Sequence, residues 1–222
     1  IFAKSPSYAA KISSILRLRD VAKVYLCKVQ GQFPESINCT EPILQASFKF
    51  ALCLVSVKGK VSETFFKLLH FDGENSYIAC FPKTGRMHQL RVHLQFLGFP
   101  IIGDPVYSHP TAFGANRGKG GVEEANITNI IKTIDEKSSR DSLDSESVNT
   151  FLEKKEIYYP PQFKDFCKED CDDCNNPIPI FYPKYQMLLH SYSYKFDEFI
   201  FTTSFPTWIN DVKANIDFNS IL

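Results

Sequence analysis

No run of about twenty apolar residues occurs in the 222-residue chain, which excludes a helical membrane span, and no membrane partner is expected. The best apolar stretch, residues 51 to 57, is short and interrupted by Ser56. Net charge is lacking as well, since 25 basic residues balance 25 acidic ones. Nor is any internal repeat visible. Cysteine cannot supply a full set of cross-links, because seven thiols cannot all pair within one chain. Four of them, Cys27, Cys39, Cys53 and Cys80, stand singly in or beside apolar runs, where a small buried hydrophobe suffices. A reducing, intracellular setting follows: the cytoplasm is expected, with nucleus or mitochondrion open. An initiating methionine is also absent. Ile1-Phe2-Ala3-Lys4 reads as the end of an apolar strand whose beginning is missing, so the sequence is expected to be N-terminally truncated, with any targeting peptide outside it.

What is present is enough chain for one sizeable domain with its own core. The zero net charge divides sharply: residues 1 to 121 carry fifteen bases against seven acids, and residues 122 to 222 carry ten against eighteen. A basic half suits a phosphate backbone, whereas an acidic, serine-rich half repels one. Residues 1 to 222 are therefore expected to form a single domain, with residues 123 to 177 an acidic, mobile insertion poor in residues to bury.

Apolar Tyr8, Ile12, Ile15 and Leu16 fall on one helical face, predicting an amphipathic helix over residues 7 to 18. Residues 21 to 29, 46 to 57, 64 to 71 and 76 to 81 are rich in β-branched and aromatic side chains and end at Gly-, Pro- or Asp-Gly turn signals. Connections this short predict antiparallel pairing, with Asp72-Gly73 the clearest hairpin. Met87, Leu90, Leu94 and Leu97 predict a second helix over residues 83 to 97 closed by Gly98, with His88, Arg91 and Gln95 on a polar stripe that faces water. Two later strands are expected, near residues 187 to 189 and over 196 to 205, returning to the same sheet. The fold class is α/β (α+β): a mixed, mostly antiparallel sheet with flanking helices and a cleft across the sheet.

The densest chemistry lies in Thr84-Gly85-Arg86-Met87-His88-Gln89-Leu90-Arg91-Val92-His93-Leu94, continuing through Gly98, Pro100-Ile101, Gly103-Asp104 and Tyr107. First-turn N–H groups favour an anion, and each arginine can bind a phosphate or carboxylate through two donors. The string TGR-x-HQLR-x-HL, followed by LG-x-PI-x-GD-xx-Y, resembles the signature of the RluA family of pseudouridine synthases. Arg19-Asp20-Val21-Ala22-Lys23-Val24-Tyr25 resembles the same family's earlier strand motif, and the tract from Asn116 to Gly121 its eukaryotic branch.

The resemblance implies a fold, a reaction and a site. The reaction isomerises a uridine within RNA, most readily tRNA, by detaching uracil from C1′, rotating it and rejoining it through C5. The essential aspartate belongs to an H-R-L-D segment that the 222 residues do not contain, which leaves Arg91, the arginine that would pair with it, without that partner. Tyr25 matches the tyrosine that packs against the target base, and Leu189 an apolar residue lining the pocket, although Ser191 stands where the family usually has alanine. Lys23, Arg86, His88 and Lys119 are candidate phosphate contacts. Asp104 is placed at a turn, where aspartate caps backbone N–H groups. RNA is the expected partner, and no obligate protein partner is implied. No metal or organic cofactor is needed for attack by a carboxylate. Two readings compete: an RNA-binding module without catalysis, and a zinc-dependent interaction domain built on Cys167, Cys171, Cys174 and His190. A single CxxC makes unligated thiols the expected state.

Overall fold

The computed structural model describes residues 3–18, 21–48, 51–109, 111–141, 186–196 and 199–216. Helix α1 spans Pro6–Leu18 and carries the predicted amphipathic pattern. A six-stranded sheet follows, formed by β1 (Ala22–Gln30), β2 (Ser36–Cys39), β5 (Thr64–Phe71), β6 (Asn75–Pro82), β7 (Leu189–Phe196) and β8 (Phe199–Thr202) in the order β2-β5-β6-β1-β7-β8. Every pairing in it is antiparallel. β5 has the predicted limits, and the Asp72 carboxylate closes the hairpin to β6 by accepting from the N–H groups of Glu74 and Asn75.

Three expected elements differ. The run at residues 46 to 57 is not one strand but a separate hairpin of β3 (Ile43–Ser47) and β4 (Leu52–Val55), turned beside Ala51, whose φ is 50°. Lys195 lies within β7 and pairs with Ile200, so the break between the last two strands falls after Phe196. The second helix, α2, begins at Gln89 rather than 83 and runs to Leu97, because residues 85 to 88 are held in a side-chain-clamped turn. Helix α3 (Ile127–Asp141) lies inside the expected acidic insertion, yet its Ile130 and Ile134 are buried with the β3–β4 hairpin. Most of that segment, including Cys167, Cys171 and Cys174, lies outside the described residues.

The central strands read as near-continuous apolar runs because both faces of the sheet are covered. On one face Cys27, Val29, Phe66, Ile78 and Cys80 meet Leu90 and Leu94 of α2. On the other, Val24, Leu26, Tyr77, Ala79 and Tyr192 meet Ile209, Val212 and Ile216 of the segment after β8. Val92, one helical step round from that first face, packs instead with Leu52, Leu54 and Tyr107. Thus α2 is buried on two sides, and the remaining stripe does not face water either. Gln95 is buried and donates to the Arg117 carbonyl, a correction to the solvated stripe that spacing alone suggests.

His93 is fully buried at the junction of these layers. Nδ1 meets the Thr64 hydroxyl at 3.0 Å, and Nε2 donates to the Glu41 carbonyl at 2.9 Å, which joins α2 to β5 and to the chain leading into β3. Burial holds its pKa below the ordinary imidazole value, against the opposing pull of the Glu41 carbonyl. A group whose folded pKa is depressed is protonated first in the unfolded chain, so stability falls as pH drops through the unfolded value of about 6.5. Urea midpoints should therefore decline between about pH 7.5 and about pH 5.5, and His93→Gln should be less stable but flatter across that window. Equal slopes in the two proteins would refute the assignment.

Candidate functional site

The turn before α2 is fixed by one amide side chain. Gln89 Oε1 accepts from the Thr84 hydroxyl at 2.7 Å and from the Arg86 N–H at 3.0 Å, while Nε2 donates to the Glu63 carbonyl and the Thr64 hydroxyl, both at 2.9 Å. Thr84 in turn accepts from the Glu63 N–H. With its acceptor and donors all engaged and its side chain buried, Gln89 clamps residues 84 to 88 onto the start of β5. Within the turn His88 takes a left-handed conformation, φ 56°. A Cβ on Gly85 would lie 3.8 Å from Lys23 Nζ, ordinary van der Waals contact. Lys23 of β1 and the turn at 84 to 86 are therefore neighbours, although 60 residues separate them in sequence.

Arg91 is the centre of the cluster on the other side of α2. Nε and Nη2 donate to the two carboxylate oxygens of Asp104 at 2.7 and 2.8 Å, and the guanidinium lies over the Tyr107 ring, 4.8 Å from its centroid. Burial works against the charge of Arg91, yet the Asp104 carboxylate raises its pKa above the ordinary value. Asp104 is fully buried and also accepts from the N–H groups of Val106 and Tyr107, as its turn position predicts. The sequence leaves Arg91 without a carboxylate; the fold gives it one thirteen residues on.

His88 completes this group. Its Nδ1 lies 3.1 Å from the Tyr107 hydroxyl, which already accepts from the Cys53 N–H at 3.0 Å. When the hydroxyl donates to Nδ1, the imidazole hydrogen sits on Nε2. Burial, and then the positive charge of Arg91, lower the His88 pKa. A neutral imidazole with an Nε2 donor hydrogen-bonds a phosphate but does not neutralise it.

Tyr25 stands on the α2 side of β1, half-buried beside Leu90, and pairs in register with Cys80 on β6 and Ser191 on β7. Its hydroxyl lies 2.5 Å from that of Tyr194, and the two rings meet edge to face at 6.2 Å. Burial, reinforced by Tyr194, pushes the Tyr25 phenol upward, so it stays protonated. Leu189 is opposite Cys27 on the same face. The structure therefore gathers Tyr25, Leu189, Lys23 and the 84–86 turn about one face of the sheet.

Arg91 and His88 belong to the separate cluster with Asp104 and Tyr107, and the side chains of two further candidates also lead elsewhere. Arg86 Nε donates to the Val61 carbonyl at 3.0 Å, tying it to the chain between β4 and β5. Lys119 packs at the opposite end of α2, where its side-chain carbons would crowd a Cβ on Gly98 at 2.7 Å. Nine residues of helix, about 13 Å, separate that end from His88. A groove of about 620 Å³ on the β2–β5 edge, lined by Phe65, Phe81, Lys67 and Lys83, contains none of the candidates. Sequence reasoning missed the Asp104 pair and Tyr194, the first because a thirteen-residue separation has no helical or strand period. Among the described residues no group of three or more His, Cys, Asp or Glu is placed to hold a metal ion, and His190 Nε2 is instead 2.8 Å from the Thr203 hydroxyl.

The architecture is that of solved pseudouridylate synthase domains. Human RNA Pseudouridylate Synthase Domain Containing 1 matches with a TM-score of 0.51 over 96% of this chain and 66% of that one, at 18% identity, a likeness of fold. The model of the RNA pseudouridylate synthase family matches residues 1–96. Pseudouridylate synthase RPUSD2 of Homo sapiens is 42% identical over 146 residues, which are 65% of this chain and 27% of that protein. The mitochondrial tRNA pseudouridine(32) synthase of Saccharomyces cerevisiae is 42% identical over 147 residues, 62% of this chain and 30% of the yeast enzyme. Residues 1–96 thus share the pattern of the RNA pseudouridylate synthase family, and the chain is similar to two proteins named as pseudouridine synthases. It spans less than a third of the length of these two relatives.

The Arg91–Asp104 pair is 13% and 0% exposed, so removing one partner strands a buried charge. Asp104→Asn should cost about 3 kcal/mol in urea unfolding. A change below about 1 kcal/mol would show that the pair is solvated and does not anchor α2.

Proposed function

We propose that this domain serves a uridine-to-pseudouridine isomerase acting on RNA, with tRNA as the substrate class. The observation that carries the reading is convergence: Lys23 and Tyr25 of β1, the 84–86 turn and Leu189 of β7, distant in sequence, meet about one face of the sheet beside α2. A half-buried aromatic edge suits a flipped-out base, and cationic or N–H donors along the adjacent turn suit its flanking phosphates. The names of the human and yeast relatives support the reaction, and the yeast name supports tRNA.

In this reading Tyr25 packs against the target uracil, and Leu189 lines the pocket. Lys23, Arg86 and the His88 Nε2–H contact phosphates near the base, whereas Lys119 meets the backbone farther along. Arg91 offers Nη1 to the nucleophilic aspartate, since Nε and Nη2 are committed to Asp104. That arrangement holds the guanidinium edge in one orientation before the second carboxylate arrives, and its positive charge keeps the nucleophile ionised. The relatives leave the compartment divided, one of them being mitochondrial by name.

A catalytically silent RNA-binding module is the competing reading. Tritium release from tRNA carrying 5-³H-uridine separates the two. The full-length gene product should release label, and Arg91→Ala should slow release by at least about 100-fold while RNA retention on filters changes little. Retention of tRNA by the full-length protein without release of label would establish the silent module instead.

A further inference from the structure

The pairing of β1 with β7 is irregular at one point. Val24 is opposite Ser193 but Tyr25 is opposite Ser191, so Tyr192 is an extra residue in β7. In a regular strand residues 191 and 194, three apart, would point to opposite faces. The bulge cancels that parity. Tyr192 and Ser193 are consecutive buried residues, Tyr192 joining the core on the far face, and Tyr194 returns beside Ser191 on the face of Tyr25. Bulges re-aim side chains in this way, and here the re-aimed group is a phenol whose hydroxyl reaches another phenol.

Tyr25 has two hydroxyl neighbours, Ser191 opposite it in the regular register and Tyr194 brought to its face by the irregularity. Tyr194 lies 2.5 Å away, and Ser191 is a second side-chain partner. An edge-to-face ring contact at 6.2 Å, with planes 66° apart, further limits rotation of the Tyr25 ring. The hydroxyl tether fixes the direction of the ring axis and the edge-to-face contact opposes rotation about it, and orientation of that kind changes turnover more than affinity.

We propose that Tyr194, brought to the face by the β7 bulge, is a positioning residue for Tyr25. It sets the orientation of the aromatic ring against which the target base packs. The inference rests on the placement of Tyr25 at the base, and it assigns to Tyr194 no contact with substrate. The part of its effect that passes through the hydroxyl-to-hydroxyl bond vanishes when Tyr25 lacks its hydroxyl.

The test is a double-mutant cycle in the full-length protein, reading pseudouridine formation on tRNA as kcat and KM, with thermal unfolding of each variant alongside. Tyr194→Phe should lower kcat about tenfold, equivalent to about 1.4 kcal/mol, with KM for tRNA unchanged within about twofold. Tyr25→Phe should lower kcat to a similar level, and adding Tyr194→Phe to it should lower kcat no further. Losses that multiply in the double variant, or a Tyr194→Phe enzyme with full kcat, would overturn the positioning role. Tyr25→Ala reports separately on the underlying site. If it abolishes activity while Tyr194→Phe is silent, the site stands and this inference fails; if Tyr25→Ala is fully active, both fail.

Discussion

The buried bond between Arg91 and Asp104 is where three parts of the structure are joined. The arginine belongs to α2, the aspartate to the loop that follows Gly103, and the Tyr107 ring beneath the guanidinium carries a hydroxyl bonded to the backbone of Cys53 in the β3–β4 hairpin. Two charges withdrawn from water need partners for every lone pair and donor. Asp104 meets that demand with the guanidinium and two backbone N–H groups, while Arg91 gives Nε and Nη2 to the carboxylate and lays its face on the Tyr107 ring. Because these partners come from separate segments, the helix cannot move without breaking the loop and the hairpin. Tyr107 extends the junction by stacking on Phe113 at 6.1 Å, next to the buried isoleucines of α3.

Much of the sheet was legible because strand signals are local. β1, β5 and β6, with the Asp72-Gly73 turn, follow from β-branched and aromatic runs ending at turn residues. The Leu90 and Leu94 stripe announced α2, but its start was displaced by six residues, since the clamp made by Gln89 is a tertiary interaction with Glu63 and Thr64. The break at residues 48 to 51 was hidden for a different reason. No Gly, Pro or Asn marks it, and among the described residues the reversal shows in the positive φ of Ala51 and its N–H bond to the Phe48 carbonyl. α3 escaped notice because its composition is that of a polar tract, while Ile130 and Ile134, four apart, are enough to bury one stripe.

The candidate site was legible by residue type and only partly by arrangement. Tyr25 and Leu189 pack against the same core cluster, whereas Lys119 lies at the far end of α2 from His88. The polar stripe His88, Arg91 and Gln95 illustrates the limit of periodicity. Spacing shows that three polar groups share a face, yet it is equally consistent with water and with a polar junction. The deciding information lay in the loop from Asp104 to Arg117, which supplies a carboxylate and a carbonyl to that face.

A site that reacts must hold its groups in place before the ligand arrives, since reorganising dipoles during the reaction raises the barrier. Here the two halves of the candidate site are fixed by independent means. On the helix side a charged pair and a clamped amide orient Arg91 and the 84–88 turn. On the sheet side the regular register sets Ser191 opposite Tyr25, and a single extra residue in β7 brings Tyr194 to the same ring. The ring is therefore held from β7 alone, while the helix side is held by α2 and the loop after it, so the two halves do not depend on one another.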